Sequence, residues 1–261
     1  MFDFHMHSTV SFDGHDSPES MIAAAVAMGL KEICFTDHID DDPLADSAHL
    51  QFTLADYEAA YGHLTNDQVK IRLGMEFGLL TNNQPLIARR TGERNYDFVI
   101  GSIHFADNLD PYLAPFWENR SVSDAEILYL QTTLDCVRAH ADFDVLGHLT
   151  YLSKTQAHPT HSLISLDTHK EVVAEIFKVL IAKGKGIEVN TSGIDRCGDY
   201  LPAPEYLKLF KDLGGQIVTV GSDAHTAGRV GQYCSNACQI VQDIFGYVCT
   251  FENRQPIFHK L

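Results

Sequence analysis

The sequence predicts an α/β protein in which strands and helices alternate along the chain. Short apolar runs rich in Val, Ile and Phe recur, and longer segments with helical spacing lie between them. The length of 261 residues matches that of one α/β barrel. Alternating strands and helices are compatible with either a (β/α) barrel or a doubly wound parallel sheet. Because no linker, repeat or shift in composition divides the sequence, we predict a single domain over residues 1–261.

The seven predicted strands are nearly continuous in hydrophobicity, as is typical of parallel strands covered on both faces. They span residues 2–5, 32–37, 71–77, 97–104, 143–148, 186–190 and 217–223. Helical spacing predicts helices near residues 17–29, 54–66, 85–92, 123–141, 167–183, 203–213 and 234–246. Ser17 is expected to cap the first helix, with Pro18 at its first position. Ser123 and Glu126 predict a capping box at the start of the fourth helix.

Two long loops, residues 104–122 and 149–166, interrupt this alternation. Loops of this length in a compact domain usually line a functional site. The first loop is rich in aromatic residues, and we expect Phe105, Tyr112, Phe116 and Trp117 to form a wall that contacts the substrate. The same side chains could equally pack onto the rim of a barrel.

The composition is strongly acidic, with 19 Lys and Arg against 35 Asp and Glu and a formal charge of −16. Such a surface repels phosphate backbones and anionic membranes, so we expect neither long nucleic acid nor a membrane as partner. The sequence shows no signal-peptide pattern and no apolar stretch of spanning length, and its six cysteines form no CxxC pair. These features predict a cytoplasmic protein with free thiols.

Side chains able to bind metal stand at the end of every predicted strand. His5 and His7 alternate on the first strand and therefore point to the same face. The later strands end in or near His38, Glu76, His104, His148, Glu188, and the pair Asp223 and His225. In a barrel these strand ends meet at one face, where active sites are built. A lone histidine at a strand end is commonly just a polar residue. Here six of the 14 histidines lie at predicted strand ends together with carboxylates, and this combination predicts a metal centre.

The donor types narrow the choice of metal. Imidazole and carboxylate ligands suit zinc, iron or manganese, whereas calcium and magnesium favour oxygen ligands. The candidates are too numerous for one ion, so we predict two or three divalent ions. Such a centre can lower the pKa of a bound water to near neutral.

Six motifs occur in a fixed order along nearly the whole chain. They are "HMHS", "FTDH", "GMEFG", "GSIH", "VLGH" and "GSDAH". Together they resemble the polymerase and histidinol phosphatase superfamily, and within it the histidinol-phosphatase-like hydrolases. The resemblance implies a distorted, TIM-like seven-stranded (β/α) barrel with its active site at the C-terminal ends of the strands.

The resemblance also implies how the ligands divide among three metals. The first metal would take His5, His7, Glu76 and Asp223. Glu76 would bridge to a second metal that is also held by His104 and His148. A third metal would take Asp13, His38 and His225. Glu76, Asp223 and His225 are the catalytic candidates, and the last two are nearest in kind to a general acid. Asp37 is a candidate to orient His38 from its other ring nitrogen.

Two basic side chains are expected to hold the outer phosphate oxygens. Arg196, in "EVNTSGIDR", matches the position of a phosphate-binding arginine in the family. Lys154 stands where members that act on histidinol phosphate often carry an arginine, and lysine lacks the bidentate fork of arginine. The resemblance thus implies a metal-dependent phosphomonoesterase that favours L-histidinol phosphate. In such an enzyme a metal-activated hydroxide displaces the alcohol from phosphorus in line, without a phosphoenzyme. A nucleotide, phosphotyrosine or another small phosphate ester is the alternative substrate, and a non-catalytic metal-stabilised module is a remote one. The sequence makes no prediction of oligomeric state.

Overall fold

The computed structural model describes residues 1–44 and 46–261. Its central feature is a parallel sheet that curls into a nearly closed barrel. The strands of this sheet are Phe2–Met6 (β1), Glu32–Phe35 (β2), His38–Ile39 (β3), Lys70–Gly78 (β4), Phe98–Ser102 (β5), Val145–Leu146 (β6), Gly186–Asn190 (β7) and Val218–Gly221 (β8). They follow the order β1-β2-β4-β5-β6-β7-β8, and β3 pairs with β4. Every side chain of β1, β5 and β7 is buried, as expected for strands covered on both faces.

The barrel closes where β1 meets the segment after β8. His7 N donates a hydrogen bond to Ala224 O at 2.8 Å, and Asp223 N donates to His5 O at 2.7 Å. This closure lies at the C-terminal end of the strands and brings His5 and His7 beside Asp223. The predicted seven-stranded barrel is confirmed, with its second strand interrupted between β2 and β3.

The helices connect successive strands. They are Pro18–Ala27 (α1), Leu54–Tyr61 (α2), Gln84–Thr91 (α3), Ala114–Trp117 (α4), Val122–Ala139 (α5), Leu166–Ala182 (α6), Ile194–Cys197 (α7), Pro204–Asp212 (α8) and Cys234–Phe245 (α9). Single 3₁₀ turns span Ala48–Leu50, Tyr151–Lys154 and Ala227–Arg229. All seven predicted helices are present; the short helix α4 lies in a segment predicted as a loop, and the short helix α7 was not predicted. None of the helices formed by the described residues has the length and apolar character to cross a bilayer.

The helix caps agree with the prediction at one position and differ at another. Ser17 Oγ accepts a hydrogen bond from Ser20 N at 3.3 Å, with Pro18 as the first residue of α1. The capping box at Ser123 is wrong, because α5 begins earlier and Ser121 Oγ accepts from Asp124 N at 3.1 Å. The Glu126 carboxylate accepts instead from His169 Nε2 on α6 at 2.9 Å, so a tertiary contact replaces the local one.

A C-terminal hairpin, Val248–Glu252 (β9) and Gln255–His259 (β10), was not predicted. It lies at the N-terminal end of the barrel, because Arg254 N donates to Asp97 O, just before β5, at 2.9 Å. The rings of Phe251 and Phe98 pack with centroids 4.8 Å apart. The hairpin therefore covers the barrel end opposite the clustered histidines. The six cysteines are free, as predicted; the single-domain organisation stays a prediction.

Candidate metal centre

The C-terminal end of the barrel gathers all the predicted metal ligands into one cluster. They come from β1, β3, β4 and the segments that follow β1, β5, β6 and β8, and they are His5, His7, Asp13, His38, Glu76, His104, His148, Asp223 and His225. The parallel strands account for this convergence, since strand ends distant in sequence meet at one rim. We refer to these residues as the ligand cluster.

Glu76 lies at the centre of the ligand cluster and faces two pairs of imidazoles. Its Oε2 lies 3.1 Å from His5 Nε2 and 3.5 Å from His7 Nε2. Its Oε1 lies 3.0 Å from His148 Nε2 and 3.4 Å from His104 Nε2. A carboxylate with each oxygen turned to a separate histidine pair has the geometry of a ligand that bridges two ions.

Two further carboxylates complete the three predicted ligand sets. Asp223 Oδ1 lies 3.3 Å from His7 Nε2 and 3.7 Å from His5 Nε2. Asp13 reaches the other side of the cluster, where its Oδ1 lies 3.0 Å from His38 Nε2 and its Oδ2 lies 3.1 Å from His225 Nε2. The structure thus brings each predicted set together, while the roles of its members as ligands stay predictions.

Buried acceptors outside the ligand cluster hold the histidine rings. Glu188 Oε1 accepts from His5 Nδ1 at 2.6 Å. The two oxygens of Asp40 accept from His38 Nδ1 and His104 Nδ1, each at 2.8 Å. A neutral imidazole that donates from Nδ1 carries its lone pair on Nε2, which is the atom turned into the cluster. From the sequence, Asp40 was expected only to be a loop residue or an outer support of a ligand, and Glu188 was named only as a strand-end group able to bind metal.

Asp37 acts on a different histidine from the one predicted. Ser11 Oγ accepts from His7 Nδ1 at 3.2 Å and donates to Asp37 Oδ1 at 3.0 Å, while Tyr61 OH also donates to this carboxylate. The prediction that Asp37 orients His38 is wrong, because neighbouring residues of an extended chain point to opposite sides. Asp37 therefore supports His7 through Ser11.

The ligand cluster fits divalent metal ions. His5 Nε2 and His7 Nε2 lie 3.1 Å apart in a buried setting, where two lone pairs facing each other need a shared cation. Burial, and to a lesser extent the neighbouring His225, lowers the pKa of His7 to about 3, so its ring is neutral at pH 7. Burial alone would raise the pKa of Glu76, but the nearby His5 and His104 hold it well below its usual range. Neutral imidazoles and ionised carboxylates are the forms that bind metal, so His7 and Glu76 are already in those forms. Burial would lower the pKa of His104, but the carboxylates of Asp40 and Glu76 outweigh burial and raise that pKa to about 10, so metal binding at this ring must release a proton.

Basic side chains line one side of the cavity above the ligand cluster. Lys154 Nζ contacts the Asp223 carboxylate, donates to Ser192 Oγ at 2.9 Å and lies 5.3 Å from the ring centroid of Tyr151. Arg196, on α7, lines the same cavity and is exposed to solvent. Arg229 also lines it and pairs with Asp195 at 2.5 Å. Arg229 was not predicted, because no motif marks it after the last strand.

The cavity has a volume of about 700 Å³, and acidic and aromatic residues line it as well. Asp42 follows β3, and Asp110 and Tyr112 follow β5, whereas the basic side chains follow β6, β7 and β8. Outside the ligand cluster, the basic lining residues thus follow later strands than Asp42 and Asp110 do. Of the predicted aromatic wall, Phe105 and Tyr112 line the cavity. The prediction is wrong for Phe116 and Trp117, which are buried in the hydrophobic core instead.

Comparison with known proteins agrees with this geometry. The model of the PHP domain family matches residues 3–192. A histidinol-phosphatase from Lactococcus lactis is 30% identical over 231 residues, which cover 87% of this chain and 85% of the relative. A probable histidinol-phosphatase from Clostridium acetobutylicum is 27% identical over 100% of this chain and 97% of the relative.

A solved structure extends the similarity to the whole fold. Histidinol phosphate phosphatase from Lactococcus lactis, in complex with zinc, L-histidinol and phosphate, aligns with a TM-score of 0.84 and 28% identity. The alignment covers 98% of each chain. The present chain belongs to the PHP domain family and, within it, to the histidinol-phosphatase-like proteins.

Proposed function

We propose that this protein is a phosphoric monoester hydrolase that converts L-histidinol phosphate to L-histidinol and phosphate. The observation that carries the proposal is the ligand cluster at a cavity lined by both basic and acidic side chains, in a chain similar over 98% of its length to an enzyme holding zinc, L-histidinol and phosphate. Two or three divalent ions of zinc, iron or manganese serve the reaction. The nine residues of the ligand cluster would hold these ions, divided among them as the family resemblance implies.

The residues around the cluster have separate tasks in the proposed reaction. Bound divalent ions lower the pKa of water and offset the charge of a phosphoryl group. Lys154 and Arg196, with Arg229 beside them, donate hydrogen bonds to the phosphoryl oxygens that point into the cavity. Glu188, Asp40 and Ser11 keep the histidine rings in the orientation that the ions require. Asp223 and His225 are the candidates for the general acid that would protonate the departing alcohol.

The charge distribution of the cavity supports a substrate with both a phosphate and an ammonium group. L-Histidinol phosphate carries its phosphate at one end, its imidazole at the other, and its ammonium group on the carbon next to the one that bears the phosphate. The basic lining residues suit the phosphate, and the carboxylates of Asp42 and Asp110 suit the ammonium group. The net charge of −16 disfavours long nucleic acid, and the free cysteines suit the cytoplasm, where thiols stay reduced.

Phosphate release from a panel of esters tests this proposal. Metal-stripped protein is supplied with Zn²⁺, Mn²⁺ or Fe²⁺ and then given L-histidinol phosphate, nucleotides or phosphotyrosine. We expect a kcat/KM of about 10⁴ M⁻¹s⁻¹ or more for L-histidinol phosphate, far above the others. His5→Ala and Glu76→Gln are expected to abolish this activity while circular dichroism shows an intact fold.

Each other outcome points to a different function. A preference for a nucleotide or for phosphotyrosine would overturn the substrate and keep the phosphomonoesterase chemistry. An absence of hydrolysis in fully metal-loaded protein, with every ester and every metal, would indicate a non-catalytic metal-stabilised domain. Activity that survives Glu76→Gln would contradict the bridging role of this carboxylate.

A further inference from the structure

We propose that Asp40 is a positioning residue that controls metal binding at two sites of the ligand cluster at once. The inference rests on the proposed ligand roles of His38 and His104. Asp40 Oδ2 accepts from His38 Nδ1 and Asp40 Oδ1 accepts from His104 Nδ1, each at 2.8 Å. Asp40 is only 4% exposed, so water does not compete for either oxygen. One carboxylate therefore joins two rings that belong to different ligand sets.

The two rings face separate parts of the ligand cluster. His38 Nε2 lies 3.0 Å from Asp13, on the side that also holds His225. His104 Nε2 lies 3.4 Å from Glu76 Oε1, on the side that holds His148. Asp40 is thus the shared support of the second and third predicted metal sites.

The surrounding backbone fixes the position of Asp40. Its N–H donates to Leu50 O at 3.2 Å, and Gln51 Nε2 donates to its carbonyl oxygen at 3.3 Å. Gly78 leaves the space that the side chain occupies, because a Cβ atom there would lie 1.9 Å from Asp40 Oδ1. These backbone hydrogen bonds and the space beside Gly78 hold the carboxylate between the two rings.

The chemistry of the contact predicts distinct effects for two substitutions. An ionised carboxylate accepts from both Nδ1–H groups, which leaves both Nε2 lone pairs free for metal. In Asp40→Asn, the amide oxygen can accept from one ring, but its NH₂ group faces the N–H of the other. That ring relieves the conflict by carrying its proton on Nε2, the wrong tautomer for binding metal. Asp40→Asn should therefore weaken one site, whereas Asp40→Ala should weaken both.

Metal titration of the stripped, full-length protein tests the proposal without reference to turnover. Zn²⁺ binding is followed by calorimetry, and the metal content after dialysis is measured by mass spectrometry. We expect a loss in affinity on the order of 10- to 100-fold at one site in Asp40→Asn and at two sites in Asp40→Ala. The control is Asp41→Asn, since Asp41 Oδ1 accepts from Ser47 Oγ at 3.1 Å and Asp41 does not line the cavity.

Wild-type affinity and stoichiometry in Asp40→Ala would overturn the proposal. If the variants fail to fold, judged by circular dichroism of the metal-free proteins, nitrogen NMR of the wild-type imidazoles decides instead. We expect His38 and His104 in the zinc-loaded protein to carry their protons on Nδ1, and a proton on Nε2 of either ring would overturn the proposal. If the protein binds zinc as described but does not hydrolyse L-histidinol phosphate, the proposed function is contradicted and the role of Asp40 still holds.

Discussion

The carboxylate of Glu188 lies beneath the ligand cluster and accepts a hydrogen bond from His5 Nδ1 at 2.6 Å. Its second oxygen accepts from His148 N at 2.9 Å and from Asn190 Nδ2 at 3.1 Å. All of these groups are buried. Glu188 therefore holds one ring of the cluster and, through the backbone, fixes the segment that carries another.

Glu188→Gln tests this arrangement with little change in shape. The amide NH₂ would replace one acceptor oxygen and face a donor, either His5 Nδ1 or His148 N. We expect a 10- to 100-fold fall in kcat/KM, of the order seen for outer-shell partners of metal ligands, with a matching loss of bound metal. Steady-state kinetics and metal analysis provide the measurement. Glu171→Gln, an exposed position on α6, is the control, and equal behaviour of the two variants would refute the positioning role.

Arg196→Ala tests the basic side of the cavity. An exposed arginine that holds phosphate equally in the ground state and the transition state contributes uniform binding. We therefore expect KM to rise about tenfold for every phosphate ester, with kcat nearly unchanged. Arg138→Ala, on the exposed face of α5, removes the same charge outside the cavity and should leave both constants unaltered. A fall in kcat at constant KM would instead show that Arg196 contacts the phosphoryl group only in the transition state.

Asp110→Asn tests recognition of the ammonium group. Asp110 is half-buried in the cavity wall, and its Oδ1 accepts from Tyr112 N at 2.7 Å. Loss of a charged hydrogen bond should lower kcat/KM for L-histidinol phosphate by about 10- to 100-fold. Hydrolysis of 4-nitrophenyl phosphate, which has no amine, should change little. Asp107→Asn, at an exposed position of the same loop, is the control. Equal losses of kcat/KM with both esters would show that Asp110 does not bind the ammonium group.

Much of the barrel was predictable because parallel strands buried on both faces form apolar runs in the sequence. The hairpin β9–β10 was not, since its two-residue turn is Asn253–Arg254. Both residues have positive φ, at 50° and 63°, as in a type I′ turn. The usual sequence signal for that turn has glycine at the second position, and arginine gives no such signal. Two of the five residues of β10 are exposed and none is buried, so its pattern is not that of a buried strand.

The ligand cluster could be predicted, whereas most of its supports could not. Glu76 and His148 lie within two residues of the end of a strand, and the closure of a barrel brings strand ends together whatever their separation in sequence. Asp40 is different, because its contact with His104 depends on the space left by Gly78 and on the packing of loops from different strands. No spacing rule encodes such a contact. The same argument explains why Asp37 was assigned to its neighbour in sequence instead of to His7.

The stability of the second long loop depends on a buried histidine that must stay neutral. His158 is 3% exposed, its ring packs against Trp117, and its Nδ1 accepts from Thr160 N at 3.2 Å and His161 N at 2.8 Å. Burial, and to a lesser extent His161, lowers the pKa of His158 to about 4. The unfolded chain has an ordinary histidine pKa of about 6.5. Between these two values the unfolded state binds the extra proton, so this residue lowers the free energy of unfolding as the pH falls from 6.5 towards 4.

His158→Gln removes this titration and keeps an amide oxygen that can accept from the same backbone N–H groups. The variant should be less stable than the wild type at pH 7.5, because it loses the packed ring. On acidification to pH 5 the difference between their free energies of unfolding should shrink by on the order of 1 kcal/mol. Only the wild type has a residue that is protonated in the unfolded state and neutral in the folded state. Urea unfolding of both proteins at each pH measures this difference, and the remaining ionisable groups cancel in the comparison. Two stability curves that stay parallel between pH 7.5 and 5 would show that His158 is not held neutral by the fold.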